Sequence, residues 1–188
     1  VYNILPIKLN IVHLMTKADR LRFILAIAVE AGGGIQSAPE LAFMLAERPT
    51  PAFTKWLADC VKNGTLRRVA NGLFESTLTP PDPTTAIYKI IKKLRSDVLN
   101  YISLESQLSR TGDISQLIMG RVTVMTKGRS GTFSTPYGVI EFTHTKKAIS
   151  DIVPNLYFDT SINMYVATTE QAIADLKNCK RNTHMLEH

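Results

Sequence analysis

Hydrophobic and polar positions alternate along this chain with two different periods, and the change of period divides it. Over Ala18–Ala31 (ADRLRFILAIAVEA), Leu21, Ile24, Leu25 and Ala28 recur at helical spacing, and the pattern stops at Gly32-Gly33-Gly34. Ser37 followed by Glu40 reads as a capping box, with Pro39 in the first turn of a short helix ELAFMLAE. Arg48-Pro49-Thr50-Pro51 is too rich in proline to continue that helix and predicts a turn. The next helix is capped by Thr50 and stopped by Gly64 after Asn63. It places Phe53, Trp56, Leu57, Cys60 and Val61 on one face, with Lys55, Ala58 and Lys62 opposite. The period then becomes two. Thr65–Ala70 suits a strand, Asn71-Gly72 a type I′ turn, and Leu73–Ser76 the returning strand. Upstream, Ile4–Met15 reads as an extra N-terminal helix or strap.

Three helical patterns followed by a hairpin form the layout of a winged helix-turn-helix, in which one helix enters the DNA major groove and the hairpin grips the flanking backbone. The candidate contacts follow from position. Lys55 and Lys62, two turns apart, would meet phosphates or base edges, with Thr54 at the helix entry. Ala58 is small enough to lie against a thymine methyl, and Asp59 borders the face. Gln36 and Ser37 would meet a phosphate at the start of the second helix. Arg67, Arg68 and Asn71 would reach the backbone or the minor groove from the hairpin, one arginine on each strand face. Against this stands a plain solvated face for the lysines, and an Arg67 or Arg68 pair with Glu75 across the hairpin.

Thr79-Pro80-Pro81-Asp82-Pro83 excludes helix and central strand and marks the boundary between a domain of residues 1–79 and one of 80–185. The closing Leu186-Glu187-His188 (186–188) reads as a tag remnant. In the second domain, a long amphipathic helix is expected over Thr84–Tyr101, with Ile87, Ile90, Ile91, Leu94 and Val98 inward and Lys89, Lys92 and Lys93 outward. A short helix follows at Leu104–Arg110, ended by Gly112. Strands are expected at Arg121–Lys127, Thr132–Thr135, Gly138–His144, Leu156–Asp159 and Met164–Ala167. Thr168 or Thr169 then caps a last helix, Glu170–Cys179. The class is therefore α+β: a winged helix-turn-helix followed by an α+β domain with a small, mainly antiparallel sheet.

Composition narrows the classes. With 188 residues and 45% hydrophobic content the chain can bury real cores, and no apolar run approaches a membrane span. Its net charge is +6. Residues 1–80 hold nine Lys/Arg against six Asp/Glu and residues 81–188 thirteen against ten, so each half carries +3. Cys60 and Cys179 stand alone, without ligand-spaced partners, which predicts a reduced, cytoplasmic protein with no metal and no cofactor. No phosphate loop, dinucleotide fingerprint or zinc-protease motif is present. Glu141 and His144 fall on opposite faces of one strand, and neither Glu141 nor Asp159 has a lysine two residues on. No catalytic residue is expected. The Lys127–Gly131 loop, with Lys127 and Arg129, together with Lys89, Lys92 and Lys93, forms a second candidate surface for a partner or for DNA.

The order VANGLFES, YISLESQLSRTGDI, GVIEFTHTKK and VATTEQAIADL resembles the AbiEi-type antitoxins of bacterial type IV toxin–antitoxin and abortive-infection systems, over about Ala18–Lys180. The resemblance implies a repressor of its own operon that binds promoter inverted repeats. It also implies that the C-terminal domain neutralises a nucleotidyltransferase-like toxin without a stable complex. The ERPTPAF link is richer in proline than that pattern. Two alternatives stay beside it: a winged-helix transcription factor with a ligand-sensing or assembly domain, and a nuclease-like enzyme with a DNA-targeting head. A monomer or weak dimer is expected, since no dimer seam is visible.

Overall fold

The computed structural model describes residues 15–114, 120–181 and 183–184, so all but Met15 of the strap expected over Ile4–Met15, and the end at 186–188, lie outside the described residues. The chain divides into two compact units, Val1–Pro83 and Thr84–His188. It is α+β, with seven α-helices among the described residues, a three-stranded antiparallel sheet in the first unit and a six-stranded mixed sheet in the second. None of these helices is long and apolar enough to cross a membrane.

The first unit runs α1 (Lys17–Glu30), β1 (Gln36–Ser37), α2 (Ala38–Met44), α3 (Pro51–Lys62), β2 (Leu66–Ala70) and β3 (Leu73–Ser76). Each helix begins on a side-chain cap. Thr16, Ser37 and Thr50 accept from the backbone amides of Asp19, Glu40 and Phe53. At Ser37 the box is complete, because the Glu40 carboxylate accepts from the Ser37 amide at 2.7 Å. One core joins the elements: Leu21 and Leu25 of α1, Leu41 of α2, Phe53, Leu57 and Cys60 of α3, and Leu66 and Phe74 of the hairpin. The sheet order is β1-β3-β2. The hairpin closes differently from the type I′ expectation. Gly72 has φ +69° while Asn71 is not among the described residues with positive φ, and the register slips by one between Arg68 and Ala70. A type I′ turn needs positive φ at both central residues.

The second unit runs α4 (Pro83–Leu94), β4 (Asn100–Ile102), α5 (Leu104–Thr111), β5 (Arg121–Thr126), β6 (Gly131–Thr135), β7 (Gly138–His144), α6 (Ile149–Ile152), a 3₁₀ turn (Val153–Asn155), β8 (Leu156–Asp159), β9 (Met164–Ala167) and α7 (Thr169–Asn178). The sheet order is β6-β7-β5-β4-β9-β8. β4 pairs parallel with β9 and β5 parallel with β7, so the sheet is mixed and larger than the small, mainly antiparallel one expected.

The long helix expected to Tyr101 also ends early. The Asn100 amide donates to the carbonyls of Arg95 and Val98, at 2.6 and 2.9 Å, and so satisfies acceptors that a continuing helix would have used. Tyr101 and Ile102 then enter the sheet between β5 and β9. Adjacent strand residues face opposite sides. Tyr101 and Met125 join Leu104, Leu108, Ala172 and Leu176 in the core beneath α5 and α7. Ile102, Val124, Ile140 and Phe142 are buried on the other face. There the Arg95 guanidinium, just beyond α4, lies 5.3 and 5.2 Å from the ring centres of Phe133 and Phe142.

Gly138 opens β7 with φ +123°, and a Cβ there would stand 2.8 Å from the Gly120 carbonyl oxygen. Replacing it by alanine adds both a disfavoured backbone and a clash, for about 1–3 kcal/mol. Gly131, at the start of β6, has only ordinary contacts 3.5 Å away. Urea unfolding should therefore show Gly138→Ala clearly destabilised and Gly131→Ala near neutral; equal effects would contradict the role given to Gly138.

Candidate nucleic-acid interface

α3 owes its orientation to its apolar stripe. Phe53, Leu57 and Cys60 are buried, and Trp56 and Val61 are half-buried against the same core. Phe53 and Trp56 pack with ring centres 5.5 Å apart, and the Lys17 ammonium sits 4.1 Å from the centre of the Trp56 ring while pairing with Glu47. The opposite side follows from this. Thr54, Lys55 and Lys62 are exposed, Ala58 is half-buried, and Lys62 makes a 3.8 Å ion pair with Asp59 at the surface. An exposed pair of that length is worth well under 1 kcal/mol, so it leaves the ammonium available to a stronger anion.

The hairpin arginines differ from each other. Both are exposed, but Arg67 lies opposite Glu75 in register and ion-pairs with its fully buried carboxylate. Its first duty is structural. The Arg68 guanidinium lies 5.5 Å from the centre of the Phe74 ring, and Asn71 is exposed at the turn.

Gln36 and Ser37, expected to meet a phosphate, are engaged within the fold. Gln36 is buried at 8% exposure. The Ser37 hydroxyl donates to Glu40 at 2.8 Å, and that carboxylate already occupies the start of α2. A phosphate there would meet a negative charge.

In the second unit the expected basic surface is only partly open. Lys127 donates to the carbonyls of Thr145 and Lys147, at 3.1 and 2.9 Å, while Arg129 is exposed on its loop. Lys89, Lys92 and Lys93 are half-buried on α4 rather than fully outward. Burial lowers the Lys92 pKa, and the neighbouring Lys89 and Lys93 charges lower it further. Of the carboxylates weighed for chemistry, Glu141 is bound by Arg121 and Arg181. Burial works to raise its pKa, but those hydrogen bonds and charges outweigh it and hold the pKa below the usual value. Asp159 accepts from Ser161 and Arg110, which hold its pKa at about 2. His144 is exposed, its Nδ1 2.8 Å from the Gly128 carbonyl oxygen. Among the described residues no cluster of His, Cys, Asp and Glu could hold a metal ion.

Two features of the second unit escaped the sequence reading. One is a buried polar centre on α7. Asp175 is 1% exposed and accepts from Ser103 at 2.8 Å, Tyr101 at 3.0 Å and Gln171 at 2.7 Å, with the Lys147 ammonium 3.8 Å away. Burial raises the Asp175 pKa against those partners and pushes the Tyr101 hydroxyl up as well. The helical stripe Gln171, Ala172, Asp175, Leu176 carried the signal, since it puts an acid among inward positions. It borders a cavity of about 600 Å³ that Cys179, His144 and Lys147 also line.

The other is a groove of about 480 Å³ between the α4–β4 segment and the β8–β9 hairpin. Lys92, Arg95 and Asn100 of the first segment and Phe158, Asn163 and Tyr165 of the hairpin line it.

No family model and no curated protein matches the chain. Among solved structures it is similar to the crystal structure of RV2827C protein from Mycobacterium tuberculosis, at 13% identity and a TM-score of 0.48. The match covers 73% of this chain, which spans about half (47%) of that one.

Two outcomes follow from the pairing pattern. Arg67→Ala removes the ion pair that Arg67 makes with the buried Glu75 and should cost about 1–3 kcal/mol in urea unfolding, against about 0.5 kcal/mol for Arg68→Ala. Comparable losses would remove the structural role of Arg67. The second concerns acid. A depressed carboxylate pKa adds stability above the unfolded value of 3.8, and this is lost as pH falls toward about 2. Asp159→Asn should therefore flatten the fall in stability across that window, and an unchanged pH profile would dissociate Asp159 from it.

Proposed function

We propose that the first unit is a winged helix-turn-helix that binds double-stranded DNA, with α3 in the major groove and the β2–β3 hairpin as the wing. The reading rests on one observation: the exposed side of α3 carries Thr54, Lys55 and Lys62 beside a hairpin that presents Arg68 and Asn71, on a shared core. Lysines at that spacing follow phosphates along a groove, and a short side chain such as Ala58 lets the helix approach the bases. Arg67 supports the wing through Glu75 and adds positive charge from its exposed guanidinium.

With the resemblance to AbiEi-type antitoxins, the function proposed for the whole chain is that of an antitoxin and autorepressor. It would bind inverted repeats in its own promoter and counter a nucleotidyltransferase-like toxin through the second unit. It would work as a cytoplasmic, non-enzymatic protein, monomeric or weakly dimeric. The exposed Arg129 loop and the α4 lysines are the surfaces offered for the toxin-directed role. A transcription factor with a ligand-sensing second unit is the other reading, and the two cavities of that unit favour it.

Lys55→Ala with Lys62→Ala should weaken binding to a promoter duplex and lower the slope of log affinity against log salt by about two. Arg68→Ala should lower that slope by about one. The readout is fluorescence anisotropy over a salt series, with circular dichroism to confirm folding. Unchanged affinity and slope in the folded double variant would refute the placement of α3 in the groove.

A further inference from the structure

We propose that the groove between the α4–β4 segment and the β8–β9 hairpin binds a nucleotide unit, the base on the Phe158–Tyr165 pair and the phosphate at Lys92. This site lies in the second unit and does not depend on duplex recognition by α3.

The aromatic wall comes first. Phe158 and Tyr165 face each other across β8 and β9 in register, with ring centres 5.3 Å apart at 74°. Each remains 48% exposed. Large apolar rings left half in water at a concave site offer a stacking platform, and a nucleobase is a flat partner that uses it whatever its sequence. The β8–β9 turn that presents them is fixed by two devices. Asn163 takes a left-handed φ of +54°, and Asp159 is tied to Arg110 and Ser161.

Lys92 supplies a cation to the same groove, and among the described residues that line it there is no carboxylate. The pKa of Lys92 is lowered by burial and by the two neighbouring lysines. A phosphate there would supply a compensating charge. Arg95 also lines the groove, but its guanidinium turns to the Phe133 and Phe142 rings of β6 and β7, so the charge offered to a phosphate is that of Lys92.

The volume, about 480 Å³, falls within the roughly 300–1,000 Å³ typical of small-ligand sites. A cation and π-faces in one groove discriminate among ligands. A simple anion would not use the rings, and an apolar ligand would not use Lys92. A base linked to a phosphate uses both. Two sources share this chemistry: a free nucleotide, and a residue of single-stranded nucleic acid.

The test uses the full chain with three probes: adenosine 5′-monophosphate and inorganic phosphate by calorimetry, and a fluorescein-labelled ten-residue oligoadenylate by anisotropy. Binding of the monophosphate assigns a free nucleotide, binding of the oligonucleotide alone assigns a single strand, and either supports the site if it depends on the groove. Phe158→Ala, which changes no charge, should weaken that binding about tenfold. Lys92→Gln should weaken it too and lower its salt dependence, whereas Lys55→Ala with Lys62→Ala should leave monophosphate binding unchanged. Phe158→Leu keeps apolar bulk and removes the π-face, so it serves if the alanine variant misfolds. The proposal is overturned if neither nucleotide probe binds, if phosphate alone binds as well as the monophosphate, or if folded Phe158 and Lys92 variants bind like the parent. Promoter affinity measured in parallel keeps the two readings apart, because either can fail while the other stands.

Discussion

The burial of Phe53, Leu57 and Cys60 decides what α3 shows to the outside. A twelve-residue helix has one stripe to hide, and once these three enter the core with Leu21, Leu25 and Phe74 the rotation of the helix is fixed. Thr54, Lys55 and Lys62 are exposed because nothing else satisfies that stripe. Trp56 sits at the edge, half-buried, with the Lys17 ammonium over its ring. Its indole therefore seals the rim of the core and takes no part in the outward face.

Local chemistry made much of this unit legible. Thr50, Pro51 and Gly64 set the limits of α3, and Ser37 with Glu40 announced the start of α2. These signals act within four residues, where propensity and capping dominate. The hairpin was also legible, but its turn type was not. Asn-Gly supports several turns, and the one-residue slip between Arg68 and Ala70 depends on how Leu66 and Phe74 reach the core. The Glu40 carboxylate has a similar lesson. The capping box that was read correctly is what engages the Ser37 hydroxyl and amide with a carboxylate.

The second unit was less legible because its decisive contacts are distant in sequence. Nothing near Tyr101 says that it will lie between β5 and β9, and a helical period continues through Val98. The parallel β4–β9 pairing joins segments more than sixty residues apart, Tyr101 with Tyr165. Asp175 shows the same limit. An acid on the apolar side of a helix is a mismatch until Tyr101, Ser103 and Gln171 arrive as donors. With them, the carboxylate links α7 to β4 and to the start of α5.

Net charge divides evenly between the halves, yet the two units use it differently. In the second unit Arg110, Arg121 and Arg181 hold Asp159, Glu141 and Glu105, and Lys127 holds two carbonyls. Those cations secure the sheet and its flanks. Lys92 is different, because burial and the neighbouring lysine charges lower its pKa. A cation half-buried beside like charges is a cost to the fold, and it lines the same groove as two exposed rings, with no acid among the described lining residues. On the first unit's α3, Lys55 and Lys62 stay in water, where charge costs little and steers association over a distance. An exposed lysine pair suits a long polyanion approached from solution. A desolvated lysine beside aromatic rings suits one phosphate with its base.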